Sequence, residues 1–114
     1  MPTNYKPSQA QATIIVLRSV NTTTSIGAFG SADNYTTQKT EFGDDETIMV
    51  AGAVVATDGA DLTGVAMAII VNGAPVGTAS LYGYDGTNNF YQYSLGILPE
   101  GEHVVEAEFP WTRV

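Results

Sequence analysis

The chain has 114 residues and a mass of 12.0 kDa, with twelve acidic residues, four basic residues, one histidine and no cysteine. This length fits one domain, and the lack of cysteine excludes disulfides and Cys-based zinc sites. The net charge of −8 repels phosphate groups and anionic lipids, which argues against nucleic acid as a partner. The apolar run Val65 to Val71 is too short to cross a bilayer, and no signal peptide is recognisable after Met1, so we expect no membrane insertion.

The spacing of apolar residues predicts an all-β chain. No stretch keeps a helical spacing for three turns, whereas short runs of β-forming residues bounded by turn residues recur about every ten to thirteen positions. In chain order the predicted strands are Ala12 to Val20, Ser25 to Phe29, Thr36 to Phe42, Thr47 to Thr57, Gly64 to Asn72, Pro75 to Tyr82, Asn89 to Leu95 and His103 to Phe109.

Turn chemistry and alternation predict how these strands are arranged. Asn72-Gly73 is the strongest hairpin signal and should pair Val65 to Val71 with Val76 to Tyr82. The strand Thr47 to Thr57 is apolar on both faces, which is typical of a central strand. We therefore predict an antiparallel sandwich of two sheets with about seven to eight strands. The side chains of the last strand expected to face the core are His103, Val105, Ala107 and Phe109.

The charge is divided unevenly along the chain. Residues 1–18 carry Lys6 and Arg18 with no acid, whereas residues 19–114 carry two bases and twelve acids, a net of −10. The basic arm contains four consecutive large aliphatic residues, Ile14 to Leu17, which cannot all face one side of a strand. Both faces of this segment therefore need cover.

The last predicted strand resembles a known family. A leucine at Leu95, a turn at Pro99 to Gly101, His103 and an alternating strand ending in Ala107-x-Phe109 resemble the penultimate strand of bacterial and archaeal Ig-like repeat domains, which occur in surface filaments and phage structural proteins. The resemblance covers residues 41–109, with Thr47 to Thr57 as strand B. It implies an immunoglobulin-like antiparallel β-sandwich.

In that family, an Asn-Tyr-x-Pro-Ser segment and a final strand G follow the aromatic residue. Here Asn4 to Ser8 followed by Ala12 to Leu17 resembles that segment at the opposite end of the chain. The resemblance therefore implies a permuted frame. Residues 1–20 are an arm with a strand that resembles strand G, residues 21–40 a polar linker or strand A region, and residues 41–114 the Ig-like body.

A sandwich without strand G has an open edge beside strand F, which the arm can fill. The arm can enter its own domain, because Ser19 to Thr36 is long enough to cross a sandwich of about 30 Å. It can also enter a neighbouring copy, which would complete each fold by strand exchange. The predicted interface residues are Ile14, Ile15, Val16, Leu17, Val105, Ala107 and Phe109.

The polar residues offer no catalytic constellation. His103 is the only histidine, and no serine, cysteine or paired base stands at a spacing from it that predicts catalysis. Its place in the resembled motif implies a structural role at the start of the strand. Asp58 with Asp61, or Asp44-Asp45-Glu46, could hold calcium through loop oxygens, and solubilising turn acids are the alternative. We therefore predict no enzymatic activity and no cofactor.

Aromatic residues and sequons suggest two further surface roles. Exposed Tyr82, Tyr84 and Trp111 could stack on sugar rings, while alternate tyrosines such as Tyr91 and Tyr93 could instead stabilise the sheet by cross-strand pairing. Asn21 and Asn34 begin Asn-x-Thr sequons and are candidate glycosylation sites.

These patterns predict a structural subunit of an extracellular filament or a virion, which assembles with itself head to tail through its N-terminal strand. The alternative is a monomeric Ig-like module that recognises glycans, a capsid or a host surface.

Overall fold

The structure, a computed structural model, describes residues 2–112. It confirms the all-β prediction. Within these residues lie seven strands and one short 3-10 helix at Ser31–Asp33: β1 (Thr22–Thr24), β2 (Gly27–Gly30), β3 (Ile48–Ala56), β4 (Ala66–Val71), β5 (Ala74–Ser80), β6 (Asn88–Gly96) and β7 (Val105–Glu108). No helix among the described residues is long and apolar enough to cross a membrane.

The first sheet is built around β3, the longest apolar strand. β6 pairs antiparallel with one edge of β3, and β1 and β2 follow one another along the other edge. The chain bends between β1 and β2, where Ser25 Oγ accepts a hydrogen bond from the Ala53 N–H. A Cβ added at Gly52 would overlap the Ser25 carbonyl, so only glycine fits at this crossing.

The second sheet has the order β5-β4-β7, and all its pairs are antiparallel. The predicted hairpin is confirmed, because β4 and β5 are joined by Asn72 and Gly73 with φ values of 52° and 80°. Positive φ at both residues is the conformation of a two-residue hairpin loop, and Asn and Gly tolerate it best. β4 pairs with β7 through Ala68↔Glu108 to Val71↔Val105.

The two sheets pack face to face over one hydrophobic core, which makes the protein a β-sandwich. Val50 and Val54 of β3 and Tyr91 of β6 meet Met67 and Ile69 of β4, and each of these side chains is at most 1% exposed. The central position predicted for the Thr47 strand is confirmed by its two paired edges. Val105, Ala107 and Phe109 pack against this core while remaining only half-buried.

The prediction of a strand at Thr36 to Phe42 is wrong, Ala12 to Val20 forms no strand within a single chain, and β1 lies outside the predicted strands. Ala12 to Val20 pairs with no strand among residues 2–112, and Thr36 to Phe42 lies in a loop. β1 (Thr22–Thr24) falls in a polar segment and forms because β3 offers it an edge. The sandwich therefore begins at Thr22, inside the predicted linker or strand A region of residues 21–40.

The sandwich has two ends. At the end we call the arm pole, β1 begins, β3 ends and β7 ends, and the arm of residues 2–19 leaves the body. At the other end, the distal pole, lie the loop of residues 31–47 and the segment of residues 97–104. The Cα radius of gyration is 23.0 Å, against about 13 Å for a compact chain of this length. The arm thus projects from the body.

Candidate functional site

β7 is an edge strand whose second edge is open in the described part of the chain. Asn72 N–H donates to the Val104 carbonyl at 2.8 Å. Because alternate residues of an antiparallel strand bond to the same neighbour, the backbone N–H and C=O groups of Val104, Glu106 and Glu108 point towards β4. The backbone groups of Val105 and Ala107 therefore point away from β4, to the open edge. The side chains of the same two residues face the core.

Two clefts open at the two ends of β7, on the side of the β1–β2 edge of the other sheet. The arm-pole cleft has a volume of about 780 Å³ and is lined by Val20, Ala56, Leu62 and Phe109 among others. The distal-pole cleft has a volume of about 1150 Å³ and reaches core residues of both sheets, including Ala28, Val50 and Val105. The clefts lie at the two ends of β7, and we call them, together with the open edge of β7 between them, the edge groove.

The structure brings only some of the predicted interface residues together. Val105 and Ala107 of β7, and Phe109 directly after it, pack against the core as predicted. Ile14, Ile15 and Val16 lie in the arm and are 82%, 70% and 89% exposed. Leu17 lines the arm-pole cleft together with Phe109 and remains 53% exposed. Within one chain, the apolar run of the arm is therefore not covered.

His103 holds the start of the β7 segment against the β4–β5 turn. Its Nε2 lies 2.6 Å from the Pro99 carbonyl oxygen and its Nδ1 lies 3.0 Å from Asn72 Nδ2, so Nε2–H donates and Nδ1 accepts. Asn72 Oδ1 also accepts a hydrogen bond from the Val104 N–H at 2.9 Å. These contacts give His103 and Asn72 a structural role at the distal pole, beside the edge groove.

Glu46 is a buried carboxylate whose role was not evident from the sequence. Lys39 Nζ donates to it at 2.6 Å, and the N–H groups of Gly43 and Ala32 donate at 3.0 and 3.1 Å. The hydrogen bond from Lys39, followed by that from Gly43, holds the pKa of Glu46 below its ordinary value. Glu46 thus fastens the loop of residues 31–47, part of which lines the edge groove. A Cβ at Gly30 would overlap its carboxylate.

The acids proposed as calcium ligands act as turn-forming side chains. Asp58 Oδ1 accepts from the Ala60 N–H at 3.1 Å, and Asp61 Oδ1 accepts from the Thr63 N–H and hydroxyl at 3.0 and 2.6 Å. The Thr63 hydroxyl and then its N–H lower the pKa of Asp61. Among the described residues, no group of three or more His, Cys, Asp or Glu side chains is gathered where it could hold a metal ion.

The aromatic set divides into structural and exposed members. Tyr91 is buried and donates to the Ser25 carbonyl at 2.6 Å, and its burial raises its pKa to about 12. Tyr93 donates to the Val76 carbonyl at 3.1 Å, and Tyr84 donates to the Gly59 carbonyl. Tyr84 therefore has a bonded hydroxyl, while Tyr82 is 47% and Trp111 is 95% exposed.

The two sequon asparagines are on the surface. Asn21 is exposed at the base of the arm, and its carbonyl accepts the Thr57 N–H at 3.0 Å. Asn34 is exposed in a turn with φ 59°. Both side chains can be reached by a modifying enzyme.

The chain was also compared with known proteins. No protein-family model matches it, and searches of curated proteins and of solved structures found no match either.

Proposed function

We propose that this protein is a non-enzymatic structural subunit of an extracellular filament or a virion, in which the N-terminal arm of one copy inserts as a β-strand beside β7 of the next. The observation that carries the proposal is the edge groove. An edge strand with unpaired N–H and C=O groups, next to a cleft that reaches the core, is a ready acceptor for an added strand.

The arm has the properties of the matching donor. Its segment of residues 12–17 has no partner strand in the described part of the chain and carries four consecutive large aliphatic side chains. Exposing such a side chain rather than burying it costs about 1.5 to 3 kcal/mol. In an added strand, alternate residues of Ile14 to Leu17 would fill the groove and the others would cover the outer surface. The free energy of this burial favours insertion.

The total exposed surface supports the same proposal. The chain exposes 8405 Å², against about 6000 Å² for a folded monomer of 12.0 kDa. Much of the excess belongs to the arm, whose residues 2–19 are all exposed. A chain that keeps a long apolar arm outside its own body is suited to contact a second molecule. The resemblance to Ig-like repeats, in which strand G fills this position, agrees with this role.

Substitution in the arm tests the proposal. We expect the wild-type chain to form oligomers that lengthen with concentration, measured by size-exclusion chromatography with light scattering and by negative-stain electron microscopy. The double variant Ile15→Asp/Leu17→Asp should remain monomeric, because charged side chains cannot enter the groove or its rim. In dilute solution, where both proteins are monomeric, its circular dichroism spectrum should match that of the wild type, since the arm forms no part of the sheets of a single chain.

The matched control is Gln9→Asp/Gln11→Asp, which adds the same two charges to the polar part of the arm and should assemble as the wild type does. A wild-type chain that stays monomeric at millimolar concentration would refute the proposal. Equal assembly by Ile15→Asp/Leu17→Asp would refute it as well.

A second candidate function is glycan binding by a monomer. It is favoured by Trp111, which is almost fully exposed and borders the arm-pole cleft. Exposed indole rings stack on sugar rings. This function predicts saturable binding on a glycan array that is lost on Trp111→Ala and retained on Tyr84→Phe, because the Tyr84 hydroxyl is bonded to Gly59. No binding to any glycan would exclude it.

A further inference from the structure

We infer that the arm enters the edge groove of a second copy antiparallel to β7, and that Arg18 then lies on the acidic distal pole of that copy. The inference rests on the strand donation proposed above and adds its direction, its partner and a residue that determines its specificity. Three observations lead to it: the anchoring of the arm at Val20, the position of the groove and the distribution of charge between the poles.

The arm is held at the arm pole of its own body. The Val20 side chain packs against the core, and the Asn21 carbonyl accepts the Thr57 N–H at 3.0 Å. Only Arg18 and Ser19 lie between Leu17 and this anchor. Three Cα–Cα steps span at most about 11 Å.

This tether is too short for antiparallel insertion into the chain's own groove. Such insertion would place Leu17 near Val105, which lines the same cleft as Val50. The anchor lies instead at the level of Ala56, the partner of Thr22. Val50 and Ala56 are six residues apart on β3, which corresponds to about 20 Å.

The segment that is long enough to cross the sandwich is not free to do so. Ser19 to Thr36 has the necessary length, but β1 and β2 occupy much of it and pair with β3. An antiparallel strand beside β7 must therefore come from another copy. In that arrangement Arg18 and Ser19 only have to connect the strand inserted in one copy to the body of the next copy.

The direction of insertion decides whether the assembly is open or closed. If the arm runs parallel to β7 of a partner, the two arm poles meet, and mutual exchange closes a dimer. If it runs antiparallel, the arm pole of one copy meets the distal pole of the next. That contact is heterologous and propagates as a linear chain of subunits.

Charge favours the antiparallel direction. The distal pole carries seven acids, whereas the arm pole carries four, which are Asp58, Asp61 and Asp85 in its turns and Glu108 at the end of β7. Because Arg18 follows Leu17 directly, antiparallel insertion brings it to the distal pole of the partner, where Glu100 and Glu102 line the cleft. The acids of the distal pole, accompanied there by Lys39 and His103, are Asp33, Glu41, Asp44, Asp45, Glu46, Glu100 and Glu102.

Parallel insertion would leave Arg18 at the arm pole, between copies whose facing surfaces are both less acidic. The attraction between a cation and a pole of opposite charge orients an approaching partner and selects the register of docking. Arg18 is thus the residue that we expect to distinguish the two directions.

Disulfide trapping tests the direction directly, because the chain contains no cysteine of its own. Ala12→Cys and Thr13→Cys are each combined with Glu108→Cys at the end of β7 or with Val104→Cys at its start. Two arm positions are used because adjacent side chains point to opposite faces. Samples are oxidised either directly or after dilution and are then separated on non-reducing gels. Dilution before oxidation lowers the yield of disulfides between copies but not of disulfides within one chain.

Antiparallel insertion between copies predicts a ladder of covalent multimers with Glu108→Cys for one of the two arm positions, and none with Val104→Cys. Trapping with Val104→Cys instead, or a disulfide within one chain, would refute the inferred direction while leaving strand insertion in place. No disulfide with either partner, in a chain that stays monomeric, would refute strand donation itself.

Charge reversal tests the role of Arg18. Arg18→Glu should weaken assembly about tenfold, and Glu100→Lys/Glu102→Lys on the acceptor should restore it. Lys6→Glu is the matched control, since Lys6 lies beyond the segment that fills the groove. Unchanged assembly by Arg18→Glu would show that Arg18 does not determine docking.

Discussion

Glu46 illustrates how one side chain can organise a loop. Its carboxylate accepts hydrogen bonds from Lys39 and from two backbone N–H groups, so it joins residues 31–47 into one structure at the distal pole. The sequence showed it only as the last of three acids in Asp44-Asp45-Glu46. What distinguishes Glu46 from Asp44 and Asp45 is its burial against Gly30, a contact between residues distant in sequence.

The depressed pKa of Glu46 predicts how stability depends on pH. Folding favours the carboxylate form, so its contribution is complete above the ordinary pKa of 4.5 and is lost as the pH falls through the lower folded value. Asp61 and Asp85 contribute in the same direction from their ordinary pKa of 3.8. We expect the free energy of unfolding, measured by urea denaturation, to fall between pH 5 and pH 2.

The variant Glu46→Gln should reduce stability at pH 7 and flatten the decrease at low pH, because one titrating group has been removed. Glu41→Gln, at an exposed site in the same loop, is the control and should leave the profile unchanged. A Glu46→Gln profile parallel to that of the wild type would contradict the role assigned to this carboxylate.

Strands and turns with strong local signals were predictable from the sequence. β3, β6 and the β4–β5 hairpin lie within a residue or two of their predicted positions, because alternation and the Asn72-Gly73 turn specify them locally. β1 was missed and Thr36 to Phe42 was predicted wrongly. In both cases the deciding factor is whether a neighbouring strand offers an edge, and no local pattern reports that.

Asn72 connects the hairpin to the start of β7, which gives an element-scale prediction. Position 72 has a positive φ, which asparagine tolerates better than alanine because its side-chain amide can form local hydrogen bonds. Asn72→Ala also removes the acceptor for the Val104 N–H. We expect a loss of about 1 to 2 kcal/mol in the free energy of unfolding, measured by urea denaturation.

Asn72→Gly separates the two causes, because glycine keeps the turn conformation and loses only the side-chain hydrogen bonds. Its loss should be smaller than that of Asn72→Ala. Thr78→Ala on the exposed face of β5 is the control, with an expected change within about 0.5 kcal/mol. Equal stability of Asn72→Ala and the wild type would show that the clamp between the turn and β7 contributes nothing.

The molecule as a whole consists of a folded body and a projecting arm. Its principal-axis extents are 92 × 33 × 17 Å, and the long dimension reflects the arm. Removing residues 2–16 should therefore leave the body folded, since Leu17 and Val20, which contact it, are retained.

We expect this deletion to shift the thermal midpoint by no more than a few degrees, to abolish assembly and, in dilute solution, to lower the radius of gyration from near 23.0 Å towards about 13 Å. Calorimetry and small-angle X-ray scattering measure these quantities. Unfolding of the shortened chain would mean that the arm is part of the fold, and an unchanged radius would mean that it does not project.

The candidate site was only partly predictable. Alternation correctly placed Val105, Ala107 and Phe109 against the core, and the run Ile14 to Leu17 was recognisable as a segment that needs cover. The sequence left open whether the arm could close its own domain, because the length available for crossing depends on where β1 starts and where Val20 is anchored. Those are properties of long-range pairing and packing.

Composition, alternation and turn residues were enough to predict an acidic all-β sandwich with a basic apolar arm, because these features act over a few neighbouring residues. The pairing of β1 and β2 with β3, the open edge of β7 and the gathering of acids at one pole depend on contacts between segments far apart in the chain. Only folding brings those segments together, and it is their arrangement that makes the arm of one copy a candidate partner for the groove of another.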